Sequence, residues 1–138
     1  MGKLRATAQL IRGFRIALDN GRSHSVVVDL PIDTGSDMGS TPLELCVMSH
    51  AGCYAIIFAL TAKKMRVPLK ELDVIVEALE YEEAGTITEE SFDITVKADA
   101  SADRIERLHK LTLKNCPVGI LFERAGVKTK YNIRTGKQ

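Results

Sequence analysis

An excess of charge is missing from this 138-residue sequence: 19 basic side chains stand against 18 acidic ones. No basic stripe gathers on any segment, which argues against nucleic acid as a partner. The opening residues, MGKLRATAQL, lack the long apolar core and the cleavage site of a secretory signal, so the expected location is the cytoplasm. Repeats, linkers and low-complexity runs are missing too. The Gly/Ser/Asp-rich stretch 31–40, PIDTGSDMGS, lacks the spacing and the Lys-Ser/Thr ending of a phosphate-binding loop and reads as a plain connector. No CxxC pair occurs, which removes a thioredoxin-like motif, and the three cysteines are odd in number and not spaced as a disulfide framework.

What is present fits one soluble globular domain, residues 1–138, with 45% hydrophobic and 27% charged residues and enough length for a core. The chain is organised around residues 41–67, TPLELCVMSHAGCYAIIFALTAKKMRV. Thr41 is placed to cap a helix, Pro42 suits its first position, and Glu44 stands where it closes a capping box. Lys63, Lys64 and Arg66 suit the far end of the dipole, before Pro68. Between residues 43 and 62 only Glu44, Ser49, His50, Gly52 and Thr61 are not apolar. Such a helix must be covered on nearly every side. Its length would span a bilayer, but Glu44, Ser49 and His50 interrupt it, and the remainder is patterned as a soluble protein, so no membrane span is expected.

Strands are expected over residues 4–11, then as a hairpin over 14–18 and 25–30 with turn chemistry at Asn20-Gly21. After the helix come strands at 72–81 and 91–98 around Gly85. An amphipathic helix at 101–115 places Ile105, Leu108, Leu111 and Thr112 on one side. Cys116-Pro117 breaks the pattern; a short helix at 118–125 ends at Gly126, and a last strand runs over 127–133. The order gives an α+β domain with mainly antiparallel sheets around a long central helix. So few elements leave that helix under-covered, and a homodimer pairing the central helices would supply the rest.

Cys46 and Cys53 lie seven residues apart on one helix, about 10.5 Å along its axis. That exceeds the roughly 7 Å Cα limit for a disulfide. With His50 between them the spacing resembles a zinc set, yet two thiolates on one zinc sit about 4 Å apart, so no metal is expected. Cys46 reads as packing. Cys116, before Pro117, would cap the next helix, where backbone N–H groups favour a thiolate. Cys53 in mid-helix has no such help and needs a cation, for which Arg15, Arg22 and His50 are the candidates.

The TPLEL…AGC run and the second cysteine in NCPVGILFERAG, together with a hairpin carrying Gly21, Arg22, His24 and Asp29, resemble the OsmC/Ohr family of thiol peroxidases. The resemblance implies an OsmC-like, intertwined α+β homodimer with its sites at the interface and no metal or prosthetic group. It implies that Cys53 attacks the O–O bond of an organic hydroperoxide or hydrogen peroxide and becomes a sulfenic acid. Cys116 then condenses with it to a disulfide, which a small dithiol or a lipoylated protein reduces. Better-known members carry a glutamate directly after the helix-opening proline, paired with an arginine that holds the thiolate. Here Leu43 has that place and Glu44 follows it, as in Pro-x-Glu-Leu variants, which points to a divergent branch. From Glu44 to Cys53 is a rotation of roughly 180° on an ideal helix. The arginine is Arg22, by the hairpin pattern, or Arg15. The alternative reading is a non-catalytic homodimer that binds a small apolar ligand in the interface pocket.

Overall fold

The structure, a computed structural model, describes residues 2–136. They form two compact units that divide between Cys46 and Val47.

The first unit is a three-stranded antiparallel sheet in the order β1 (Thr7–Arg12), β2 (Arg15–Asp19), β3 (Ser25–Val28). The β2–β3 turn follows from its residues. Asn20 Oδ1 accepts the Arg22 N–H at 2.8 Å, Asp19 Oδ1 accepts that of Gly21 at 2.6 Å, and Gly21 takes a φ of 82°. The stretch expected to be a plain connector is built around a carboxylate. Buried Asp29 accepts the N–H groups of Leu30 at 2.7 Å and Met38 at 3.2 Å. A Cβ on Gly35 would stand 2.7 Å from Asp29 Oδ1, so only glycine lets the loop close there. The unit ends in the start of helix α1 (Pro42–Lys64), where both bonds of the capping box form: Thr41 N–H donates to Glu44 Oε1 at 2.8 Å and Glu44 N–H to Thr41 Oγ1 at 3.1 Å.

The second unit takes α1 from Val47 onward, then β4 (Leu69–Tyr81), β5 (Thr86–Ala98), α2 (Ala102–Asn115), α3 (Pro117–Arg124) and β6 (Lys128–Thr135). Its sheet has the order β4-β5-β6. β4 and β5 form the expected hairpin, but β6 pairs parallel with β5, with Phe92 opposite Tyr131. Pairing is thus mainly antiparallel, as expected, with one parallel exception at the last strand. Parallel neighbours need a crossover, and α2 and α3 are that crossover.

The core joins Tyr54, Phe58 and Ala62 of α1, Phe92, Ile94 and Val96 of β5, and Ile105 and Leu108 of α2. On α2 the inward side carries His109 as well as Thr112, while Leu111 is only half-buried. α1 is long and apolar enough to cross a membrane by length and composition. In this unit its buried residues, His50, Tyr54, Phe58 and Ala62, follow one another at four-residue spacing. Met48, Ile56 and Leu60 stay exposed, so the cover expected on nearly every side reaches one stripe. The helix ends in a Schellman arrangement: Val67 N–H reaches Ala62 C=O at 2.8 Å and Arg66 N–H reaches Lys63 C=O at 3.1 Å. Arg66 holds the left-handed position at a φ of 56°.

The described chain is thus an α+β architecture of two three-stranded sheets and three helices.

Candidate active site

Cys116 sits at the corner between α2 and α3. Pro117 cannot continue α2 with a hydrogen bond but suits the first position of α3, so the chain turns there. Cys116 caps α3 as its sequence position suggests, with Sγ accepting the Gly119 N–H at 3.4 Å. Capping does not make it a thiolate. Burial, first, and a hydrogen bond with Cys53, second, push the thiol up to about 11, outweighing the N–H groups of Gly119 and Val118. The expectation of a cap-stabilised thiolate is corrected: near neutral pH Cys116 is a buried, neutral thiol.

The same hydrogen bond brings Cys53 and Cys116 together although 63 positions separate them. Cys53 is half-buried and Cys116 buried, while Cys46 is exposed.

Cys116 lines a cavity of about 300 Å³, together with His50, Tyr54, Gly119 and Tyr131 among others. His50 Nδ1 stands 2.7 Å from Glu90 Oε1, and both side chains are almost fully buried. The imidazole is held between Phe92, at 4.7 Å, and Phe122, at 4.6 Å between ring centroids. One turn on, the Tyr54 hydroxyl meets His109 Nδ1 at 2.7 Å. Burial raises the Tyr54 hydroxyl far above the ordinary phenol range, so it stays a donor, and burial lowers His109. Tyr131, on the β6 wall, is pushed up to about 12, chiefly by burial.

The other residues singled out by sequence belong to the first unit. Glu44 is exposed and bonded into the helix cap. Arg22 is exposed in the β2–β3 turn, as is His24, whose Nδ1 lies 3.1 Å from Asn20 Nδ2. Arg15 is half-buried, its Nε 3.8 Å from Asp29 Oδ2. The Asp29 carboxyl is held below the usual range, first by the Leu30 N–H. Among the described residues no group of three His, Cys, Asp or Glu side chains is placed to hold a metal ion.

In the sequence His50 stands out as a cation for Cys53 and as the middle of a zinc-like spacing, and Glu90 does not stand out at all. A signal for Glu90 existed: counting back by twos from Val96, Ile94 and Phe92, the inward face of β5 reaches position 90.

The family model described as "OsmC-like protein" matches residues 35–132, which include both thiols and the His50–Glu90 pair. The chain belongs to the OsmC-like family. Among solved structures, this OsmC-like chain is similar to an OsmC-like protein from Mycoplasma pneumoniae, with a TM-score of 0.87 and 17% identity over 99% of each chain. It is similar to an organic hydroperoxide resistance protein OsmC from Legionella pneumophila at a TM-score of 0.72 and 14% identity, covering 96% of this chain and 97% of that one. The organic hydroperoxide resistance protein OhrB of Bacillus subtilis gives 0.66 and 18%, over 96% and 98%. At such identities the likenesses concern the fold. No curated protein matches the sequence.

Proposed function

We propose that this OsmC-like protein is a cysteine-dependent hydroperoxide reductase, with Cys53 as nucleophile and Cys116 as resolving thiol. The observation that carries this reading is the hydrogen bond between the two thiols, of which Cys116 lines a cavity. Names of structural relatives point the same way, since two are organic hydroperoxide resistance proteins. The Cys53 thiolate attacks the distal peroxide oxygen, the O–O bond breaks, and the alkoxide takes a proton and leaves as an alcohol. The sulfenic acid on Cys53 condenses with Cys116, releasing water, and a small dithiol or lipoylated protein returns the disulfide to two thiols. Cys116 suits the second role because a neutral buried thiol does not compete for peroxide. The cation that holds the Cys53 thiolate is proposed to be Arg22 or Arg15, and a second copy of the chain is proposed to cover the exposed Met48, Ile56 and Leu60.

The test is cumene hydroperoxide consumption with dithiothreitol, followed by mass spectrometry of the peroxide-treated protein. A Cys53–Cys116 linkage is expected in the wild type, no consumption in Cys53→Ser, and a trapped sulfenic acid in Cys116→Ser. Intact hydroperoxide with the wild type sinks the reading.

One observation favours a binding module instead. The Glu44 carboxylate is bonded into the helix cap. Should both thiols stay unreacted under peroxide while the cavity takes up an apolar ligand, this second reading holds.

A further inference from the structure

Resting on the peroxidase reading, we propose that His50, held by Glu90, is the base that takes the proton from Cys116 as its sulfur closes on an oxidised Cys53.

A histidine and a carboxylate removed from water pack less favourably than apolar residues of the same size, so a pair lodged among Phe92 and Phe122 calls for a reason. Glu90 is not even fully satisfied: its Oε2 is buried without a hydrogen-bond partner. The pair sets the imidazole's direction. A carboxylate oxygen accepts from the ring, so in the neutral imidazole Nδ1 carries the proton toward Glu90 and Nε2 keeps a lone pair. Nε2 faces the first turn of α3, where a Cβ built on Gly119 would lie 3.2 Å from Nε2 and 3.4 Å from Cys116 Sγ. Nitrogen and sulfur therefore border one gap, which glycine leaves open, and both residues line the cavity.

The resolving step needs such a group. A thiol raised to about 11 is ionised in only about one molecule in ten thousand at pH 7. In the proposed step Nε2 removes the Cys116 proton, and the sulfur's electron pair forms the S–S bond at Cys53. The S–O bond of the sulfenic acid breaks with its pair on oxygen, and the departing hydroxide takes the proton back from the imidazolium and leaves as water. The Cys116 sulfur is oxidised and the sulfenic sulfur reduced; Glu90 acts through His50 as a positioning residue.

The titratable groups around the imidazole are Glu90 from β5, Cys116 and Glu123 from the α3 segment, Tyr54 on its own helix, and Tyr131 from β6. In His50→Ala, disulfide formation is expected to slow about 100-fold relative to sulfenic acid formation in the same sample, after one equivalent of cumene hydroperoxide. Added imidazole is expected to restore part of it, which a merely structural role would not allow. In Glu90→Gln the pH midpoint of the resolving rate moves down, because the imidazolium has lost its carboxylate. Should His50→Ala fail a circular-dichroism check of folding, the Glu90→Gln profile decides alone. Wild-type-like ratios and an unmoved midpoint overturn the role of His50 and leave the peroxidase reading standing. Absence of any sulfenic acid in the wild type removes that reading and this step with it.

Discussion

Cys116 is bonded from two sides: its sulfur accepts the Gly119 N–H at 3.4 Å and shares a hydrogen bond with the Cys53 thiol. The first bond favours a thiolate, the second and the burial oppose it, and the opposition wins. The folded thiol titrates above its unfolded value, so it contributes stability that is present below about 9 and lost as pH rises toward 11. Melting curves across that window are expected to fall more steeply for the wild type than for Cys116→Ala. Parallel slopes would refute the raised thiol.

His109 gives the opposite pH dependence. Burial lowers it below 6.5, so the folded state holds it neutral while the unfolded chain binds a proton first. Its contribution is complete above about 6.5 and lost as pH falls through the lowered folded value. Urea midpoints at pH 7.5 and 5.5 should differ less in His109→Gln than in the wild type, and an equal difference would count against the neutral Tyr54–His109 pair.

The capping box makes Glu44 a test of role. Thr41→Ala is expected to cost about 0.5–2 kcal/mol in chemical denaturation. Glu44→Gln keeps a side chain able to accept the Thr41 N–H, so under the capping reading its peroxide consumption matches the wild type. A large loss of turnover in Glu44→Gln, with stability unchanged, would return the carboxylate to the chemistry.

Arg66 holds a left-handed conformation that costs an L residue about 1–2 kcal/mol. Replacement by glycine removes that cost and adds freedom to the unfolded chain. The net expectation for Arg66→Gly is a gain of up to about 1 kcal/mol, read from the denaturation midpoint. A loss would mean that the arginine side chain contributes more than its backbone costs.

Local chemistry was legible in the sequence wherever a residue acts on its neighbours. Thr41, Pro42 and Glu44 mark the start of α1, Asn20-Gly21 marks a turn, and Pro117 marks the corner at Cys116. Relations across the chain were not. Nothing local tells that β6 will lie parallel to β5, because that depends on where the crossover helices land. The environment of Cys116 was misjudged for the same reason. Its helix cap is a matter of three residues, whereas its burial and its contact with Cys53 depend on distant parts of the fold. Glu90 lies within reach of the period-two pattern, but the strand expected from position 91 starts five residues earlier, at Thr86, and so takes in Glu90.

The parallel placement of β6 carries a consequence for damaged molecules. Thr129 and Tyr131 of this strand belong to the wall of the cavity that Cys116 also lines. A molecule that has lost this strand wets its buried thiol, and the sulfur's acidity drifts back toward that of cysteine in open solution. Wear would then show itself chemically: the partly unravelled protein would be the more easily alkylated one, a built-in report of its own condition.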